Sequence, residues 1–316
     1  MESKPVQHTI DTPYLVGPVH CYTVERDGEL CLFDTGPPIR EAKNYLQDSV
    51  DLARVKHVFI THCHIDHYGL AHWLEQETEA AVYLPYRDSL KITQHDYRMQ
   101  QMYTLLLAIG FSKKYLDELR EIFDSGVLFP AFPENYKIAE EDIPEEIGIE
   151  VINCPGHSQS DVVYVFDDFV VSGDTLLRGI FQSPLLDVDL ITGERFNNYD
   201  AYCQSIVKLS SLNGKTVLPG HRKSVESIND TLLFYISKML IRVEQMKPYA
   251  DERNVAKIIE TLFNNSMTDV FHIYLKGSEI LFMQDFLAAP EKLSDSLHAT
   301  GLFDSVADQF NHVTGR

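Results

Sequence analysis

Residues 59–74 read FITHCHIDHYGLAHWL, and the six positions 62–67 within them hold His62, His64, Asp66 and His67. A buried core has no use for so many ligand-type side chains in so short a span, because each polar group taken from water needs a partner. The apolar run VKHVFI, residues 55–60, leads straight into them. Such a run reads as a central strand, so the cluster sits at a strand end.

Outward from that stretch the same arrangement recurs three times. His157 in CPGHSQSD, Asp174 in VVSGDTL and His221 in VLPGHR each close an apolar segment, and each follows a glycine. Glycine lets the backbone turn tightly, so that the next side chain projects over the strand end. Open α/β sheets gather their sites at strand ends. Seven imidazole and carboxylate groups placed there suit two borderline divalent metal ions. One zinc site would use three protein ligands and a water, whereas seven ligands imply a pair roughly 3.5–4 Å apart with one carboxylate bridging. Zinc is the first expectation, and iron or manganese fits the same N/O donors. His57, His72 and His95 read as surface or packing residues, and His20, just before a strand, as a residue able to reach the edge of the site. Cys63 points away from its two histidine neighbours on an extended segment and reads as packing.

THCHIDHYG resembles the signature of the metallo-β-lactamase superfamily, and the order of FDTG, PGHS, SGDTL and LPGH matches that family as well. The resemblance covers about residues 14–224. It implies an α/β fold, the αββα sandwich of that family, with the metals at one edge. It also implies that His62, His64 and His157 hold the first metal, that Asp66, His67 and His221 hold the second, and that Asp174 bridges them. Asp34, in FDTG, would support the ligand loop. The layout looks closer to the glyoxalase II, lactonase and alkylquinolone-response thioesterase branch than to secreted β-lactamases. The expected activity is hydrolysis of an ester, thioester or lactone carbonyl by a metal-activated water, with Asp66 as the catalytic proton shuttle. The rivals are a signalling or interaction protein with incidental hydrolysis, a phosphodiesterase, and an iron redox enzyme on the same scaffold.

Along the chain, HCYTVE and ELCLFDTG read as strands joined at Asp27–Gly28, IREAKNYLQDSV as a helix, HYGLAHWLEQE as a helix and AAVYLP as a strand. Residues 89–123 turn helical, as a hairpin broken near Gly110. Strands return at IGIEVINCPGH, DVVYVF and FVVSGDTL, followed by the helix NNYDAYCQSIVKLSSL and the short strand KTVLPGH. The expected organisation is a catalytic domain over 1–225, with a helical insertion at about 88–125, and a mainly helical C-terminal region over 226–316. The tail from Glu291 suggests a helix and a small hairpin. Arg178 and Arg222 are candidates for a substrate carboxylate, although such residues more often pair with acidic neighbours. Met102, Tyr103, Phe181 and Tyr199 are candidate pocket walls.

The 316 residues carry a net charge of −20, which opposes nucleic acid and anionic membrane surfaces and leaves a small-molecule substrate as the expected partner. A homodimer is compatible with the chain. Five scattered cysteines without a CxxC pair form no disulfide framework and fit a reducing, cytoplasmic setting. The first residues, MESKPVQHTIDTPY, lack the basic start and apolar run of a secretory signal. No apolar segment approaches the ~20 residues that span a bilayer.

Overall fold

Alternation along the strands sets the layers. In the computed structural model, which describes residues 4–14, 16–125, 129–263 and 269–316, the first sheet contains β1 (Val6–Ile10), β2 (Val19–Arg26), β3 (Glu29–Phe33), β4 (Val55–Phe59), β5 (Ala81–Leu84) and β6 (Tyr136–Ile138), paired in that order. β1 to β3 run antiparallel and β3 to β6 parallel. The second sheet contains β7 (Glu150–Asn153), β8 (Val162–Phe166), β9 (Phe169–Gly173) and β10 (Thr216–Pro219), in the order β10-β9-β8-β7. Only its β10–β9 pair is parallel. Asp27 and Gly28 both take positive φ, which suits the tight turn between the antiparallel β2 and β3.

Successive side chains on a strand face opposite sides, and the buried clusters follow that rule. Tyr22, Val24, Cys31, Phe33, Phe59 and Tyr83 from the first sheet meet Val162, Tyr164, Phe166 and Val171 from the second. Their neighbours Cys21, Leu32, Val58 and Val82 face the other way, onto Ala42, Leu46, Ala71 and Leu74 of helices Arg40–Ser49 and Ala71–Glu77. Val163, Val165 and Val170 of the second sheet pack under the remaining helices. The result is helix, sheet, sheet, helix: the expected αββα sandwich. Phe59 lies at the centre of the inter-sheet layer, fully buried, with Tyr83, Phe33 and Tyr164 ring centroids at 4.9, 5.2 and 5.5 Å. Phe59→Ala is expected to cost about 3–5 kcal/mol, measured as a lowered midpoint in chemical denaturation.

One edge of the sandwich is stitched by hydrogen bonds between the sheets. Val162 N–H donates to Thr61 O at 3.0 Å and the Tyr164 hydroxyl to Ile60 O at 2.7 Å. His20 N–H donates to Gly220 O at 2.7 Å and the Tyr22 hydroxyl to Pro219 O at 2.8 Å. These bonds draw the ends of β4 and β10, which carry the polar clusters, to one place.

Some local expectations need amendment. β1 and β6 have no counterpart in the sequence reading. The His-rich helix is two short pieces, Ile65–Tyr68 and Ala71–Glu77. The insertion has three helices, Tyr86–Thr93, His95–Ala108 and Lys113–Asp124, with an extra break at Gln94 besides the turn at Gly110. The tail folds as helices Pro290–Thr300 and Ala307–Thr314 around a short turn, in place of a helix and a hairpin. One hydrophobic cluster joins Met102 and Leu106 of the insertion, Val163 and Ile206, and Ile236, Phe282, Phe286 and Phe310 of the C-terminal helices. No described helix is long and apolar enough to cross a membrane.

Candidate metal centre

The site is assembled around one carboxylate. Asp34 follows β3, is 1 % exposed, and holds a positive φ of 55°. A non-glycine residue in that region costs about 1–3 kcal/mol and persists when its surroundings over-determine it. Here Asp34 accepts from Thr61 N–H at 2.8 Å, from the Thr61 hydroxyl at 2.9 Å and from His67 Nδ1 at 2.8 Å. The segment leaving β4 is thereby tied to the short helix Ile65–Tyr68, which presents Asp66 and His67. With the Thr61 hydroxyl proton committed to Asp34, its oxygen accepts from His62 Nδ1 at 3.1 Å. With Nδ1 of each ring engaged, Nε2 is the nitrogen left to face the site in both His62 and His67.

The other loops supply their residues in the same way. His157 Nδ1 donates to Ser183 O at 2.7 Å, and its Nε2 faces His64 Nδ1 at 3.1 Å. His221 Nδ1 donates to Pro18 O at 2.8 Å, and its Nε2 faces Asp66 Oδ2 at 3.3 Å. Such bonds fix which ring nitrogen remains an acceptor. Asp174, at the end of β9, lies between the groups. Its Oδ1 is 3.4 Å from His67 Nε2 and 3.5 Å from His221 Nε2, and its Oδ2 is 3.8 Å from His157 Nε2. The structure thus brings all seven residues together, as three overlapping groups with metal-ligand spacing: His62–His64–His157, His62–His67–Asp174 and Asp66–His67–His221. Nε2 of His62, His67 and His221 and Oδ1 of Asp174 are buried without a hydrogen-bond partner. Buried polar atoms are ordinarily paired, so these inward-facing, unpartnered donors of the N/O type fit divalent cations.

The electrostatics divide the site in two. Burial, followed by the surrounding imidazoles and Lys91, pushes His62 well below the ordinary histidine range; burial, His157 and Lys91 do the same to His64. Burial also opposes charge on His67 and His221, but the carboxylates win: Asp174, Asp34 and Asp66 hold His67 well above the ordinary range, and Asp174 and Asp66 raise His221. Burial pushes the Asp174 carboxyl up, yet the charges of His221 and His67 outweigh it and hold the group ionised. A raised imidazole keeps its proton at neutral pH, and a metal must displace that proton, whereas a lowered imidazole is already a ligand. Metal uptake at pH 7 is therefore expected to release protons, chiefly that of His67, and uptake should strengthen as pH rises toward the raised value. Calorimetry in two buffers of unequal ionisation enthalpy reads this directly, and zero net release would contradict the assignment.

The glycines act differently from the expectation. Of Gly156, Gly173 and Gly220, only Gly173 takes a positive φ. A Cβ on Gly220 would come within 2.6 Å of His67 Cε1 and 2.9 Å of Asp174 Oδ1, so that position is glycine because the ligand residues crowd it.

Residues set aside at the outset stay outside the cluster. His57 bonds Glu29 and the Tyr83 hydroxyl, His72 bonds Gln76, and the His95 ring packs on Phe129. Cys63 is buried among apolar neighbours. His20 Nε2 lies 2.8 Å from the carbonyl of Arg222, the residue after His221. Arg178 pairs with Glu226, and Arg222 is exposed. Phe181 and Tyr199 are core residues, not pocket walls. Phe181 stacks on Tyr235, and Tyr199 meets Phe282 and Phe286 edge-on, because the C-terminal helices cover both. Met102 and Tyr103 line a cavity of about 650 Å³ between the second and third insertion helices. Residues missed by the sequence reading include Gln182, whose amide donates to Asp174 O, Ser183, and Asp88, which accepts from Cys63 N–H at 2.7 Å. A carboxylate within a helical run carries no local signal of such a contact.

Two stacked sheets flanked by helices, with histidines and aspartates gathered at one edge, define a metallohydrolase-type scaffold. The chain belongs to the metallo-β-lactamase superfamily, which its residues 14–221 match. It is 27 % identical over 305 residues to the probable metallo-hydrolase YqjP of Bacillus subtilis (strain 168), covering 90 % of this chain and 92 % of that one. In structure it is similar to a metallo-β-lactamase family protein of Thermus thermophilus, with a TM-score of 0.71 at 20 % identity, covering 91 % of this chain and 94 % of that one. A β-lactamase domain protein of Burkholderia ambifaria gives 0.69 at 20 % identity, covering 91 % and 88 %.

Proposed function

We propose that the protein is a dinuclear metal-dependent hydrolase acting on an ester, thioester or lactone carbonyl. The observation that carries this reading is Asp174: its two oxygens face two different histidine groups, Oδ1 toward His67 and His221 and Oδ2 toward His157. His62, His64 and His157 would hold one metal and Asp66, His67 and His221 the other, with Asp174 shared. Bound there, a zinc, iron or manganese pair would supply Lewis acidity and a water whose pKa lies near ~7. The chain's own residues do the rest. Asp34, Ser183 O and Pro18 O orient the rings of His67, His157 and His221. Asp66, facing His221 and His67, is the carboxylate placed to move a proton. Burial of His62, Asp66, His67, Asp174 and His221 strengthens each of these interactions. A small-molecule substrate in a reducing cytoplasmic compartment completes the reading, supported by five cysteines that are all free. The test is a panel of thioester, ester, lactone and phosphodiester substrates assayed on protein of measured metal content. Turnover confined to the carbonyl substrates supports the reading, and turnover of phosphodiesters alone overturns it.

A further inference from the structure

We propose that Asp88 is a positioning residue that locks together the two loops bearing His62, His64 and His157, so that the first insertion helix sets the geometry of that three-histidine group. The inference rests on the dinuclear reading and goes beyond it, because it assigns the insertion a part in the site.

Asp88 lies in helix Tyr86–Thr93, and its side chain is wholly buried. A buried carboxylate without partners is strongly disfavoured, and here three donors converge on it. Oδ2 accepts from Cys63 N–H at 2.7 Å, and Cys63 is the residue between His62 and His64. Oδ1 accepts from the Ser160 hydroxyl at 2.8 Å and from Lys91 Nζ at 2.8 Å. Lys91, one turn further along the same helix, also donates to Ser160 Oγ at 3.0 Å. Ser160 belongs to the loop of His157: its hydroxyl lies 3.1 Å from that of Ser158, whose N–H and hydroxyl both donate to Asp161. One carboxylate thus reaches a backbone N–H between two of the histidines and a side chain three residues beyond the third. Among the described residues, its hydrogen bonds and ion pairs include none to Asp66, His67 or His221. The His67 ring is held by Asp34 instead. Asp34 reaches both halves, His67 directly and His62 through Thr61, whereas the contacts of Asp88 go to the His62–His64–His157 half alone.

A structural role alone would weaken the fold without separating the two metals, and that difference is measurable. Metal-free, full-length wild type, Asp88→Asn and Ser160→Ala are titrated with cobalt(II) at fixed pH, followed by calorimetry and by the visible absorption of the bound ion, with circular dichroism to report folding. Asparagine keeps the size but replaces one acceptor oxygen with a donor, so it cannot accept from Cys63 N–H on one side and Lys91 Nζ on the other. Wild type is expected to take two equivalents. In Asp88→Asn one equivalent should weaken about 10- to 100-fold, the range for loss of a partner behind a ligand, with its absorption band altered and the other equivalent unchanged. Ser160→Ala should move the same equivalent by less, and it carries the test if Asp88→Asn does not fold. Two unchanged equivalents in a folded variant, or equal weakening of both, would overturn the inference. Fewer than two equivalents in wild type would overturn the dinuclear reading itself, and the inference with it.

Discussion

Asp174→Ala is expected to lower the metal content from two ions per chain to one or none and to reduce kcat/KM by more than about 100-fold, the upper end of what loss of an outer partner costs. The reason is geometric. Among the described residues, Asp174 is the one whose oxygens face both histidine groups, at 3.4 and 3.5 Å on one side and 3.8 Å on the other. Its removal leaves His67 and His157 with no shared acceptor, and it takes away the charge that opposes the desolvation of His67 and His221. The fold should survive, because Asp174 sits at a strand end and the strands' apolar faces are untouched. Metal content by elemental analysis, kcat/KM on a carbonyl substrate, and circular dichroism together check the claim. Full activity in a variant with native circular dichroism would refute Asp174 as the bridge.

Truncation after residue 225 is expected to abolish the native fold, with loss of the cooperative unfolding transition and of metal binding. Native domains are stable by only about 5–15 kcal/mol. Removing one large buried side chain costs about 3–5 kcal/mol, and this deletion would remove Ile236, Met239, Phe282, Phe286 and Phe310 together from a cluster shared with Val163 and Ile206. The loss would also reach the site. The Tyr235 hydroxyl donates to Gln182 O at 2.7 Å, and Leu186 N–H donates to Ser278 Oγ at 3.0 Å. In the same segment, Ser183 O accepts from His157, and the Gln182 amide donates to Asp174 O. Residues 182–186 therefore join the C-terminal helices to two candidate ligands. Denaturant unfolding of the 1–225 chain is the measurement. A soluble, cooperatively folding and metal-binding product would show that the tail is dispensable.

The sequence alone revealed the layers and the cluster for different physical reasons. VKHVFI, VVYVF and FVVSG could be read because strands buried on both faces are rich in apolar residues, interrupted in VKHVFI only by Lys56 and His57. The seven ligand-type residues stood out because few side chains bind borderline cations, and all seven closed such runs or followed a short turn. β1 and β6 escaped notice because edge strands need little burial: VQHTI buries only His8 and Ile10, and YKI is three residues long. Asp88 escaped because its meaning lies in a contact with Cys63, 25 residues away. Phe181 and Tyr199 were misplaced because an aromatic residue near a ligand motif looks the same whether it faces a pocket or a distant helix. Here the helices Ile228–Met246 and Val270–Ala288, far along the chain, decide.

The most direct test of the central claim is anomalous X-ray scattering from crystals of the purified protein, recorded at the absorption edges of zinc, iron and manganese. Two anomalous peaks are expected on either side of the Asp174 carboxylate, one among His62, His64 and His157 and the other among Asp66, His67 and His221. Peaks absent from that edge of the sandwich after metal loading, or a single ion that leaves one of those groups empty, would contradict it.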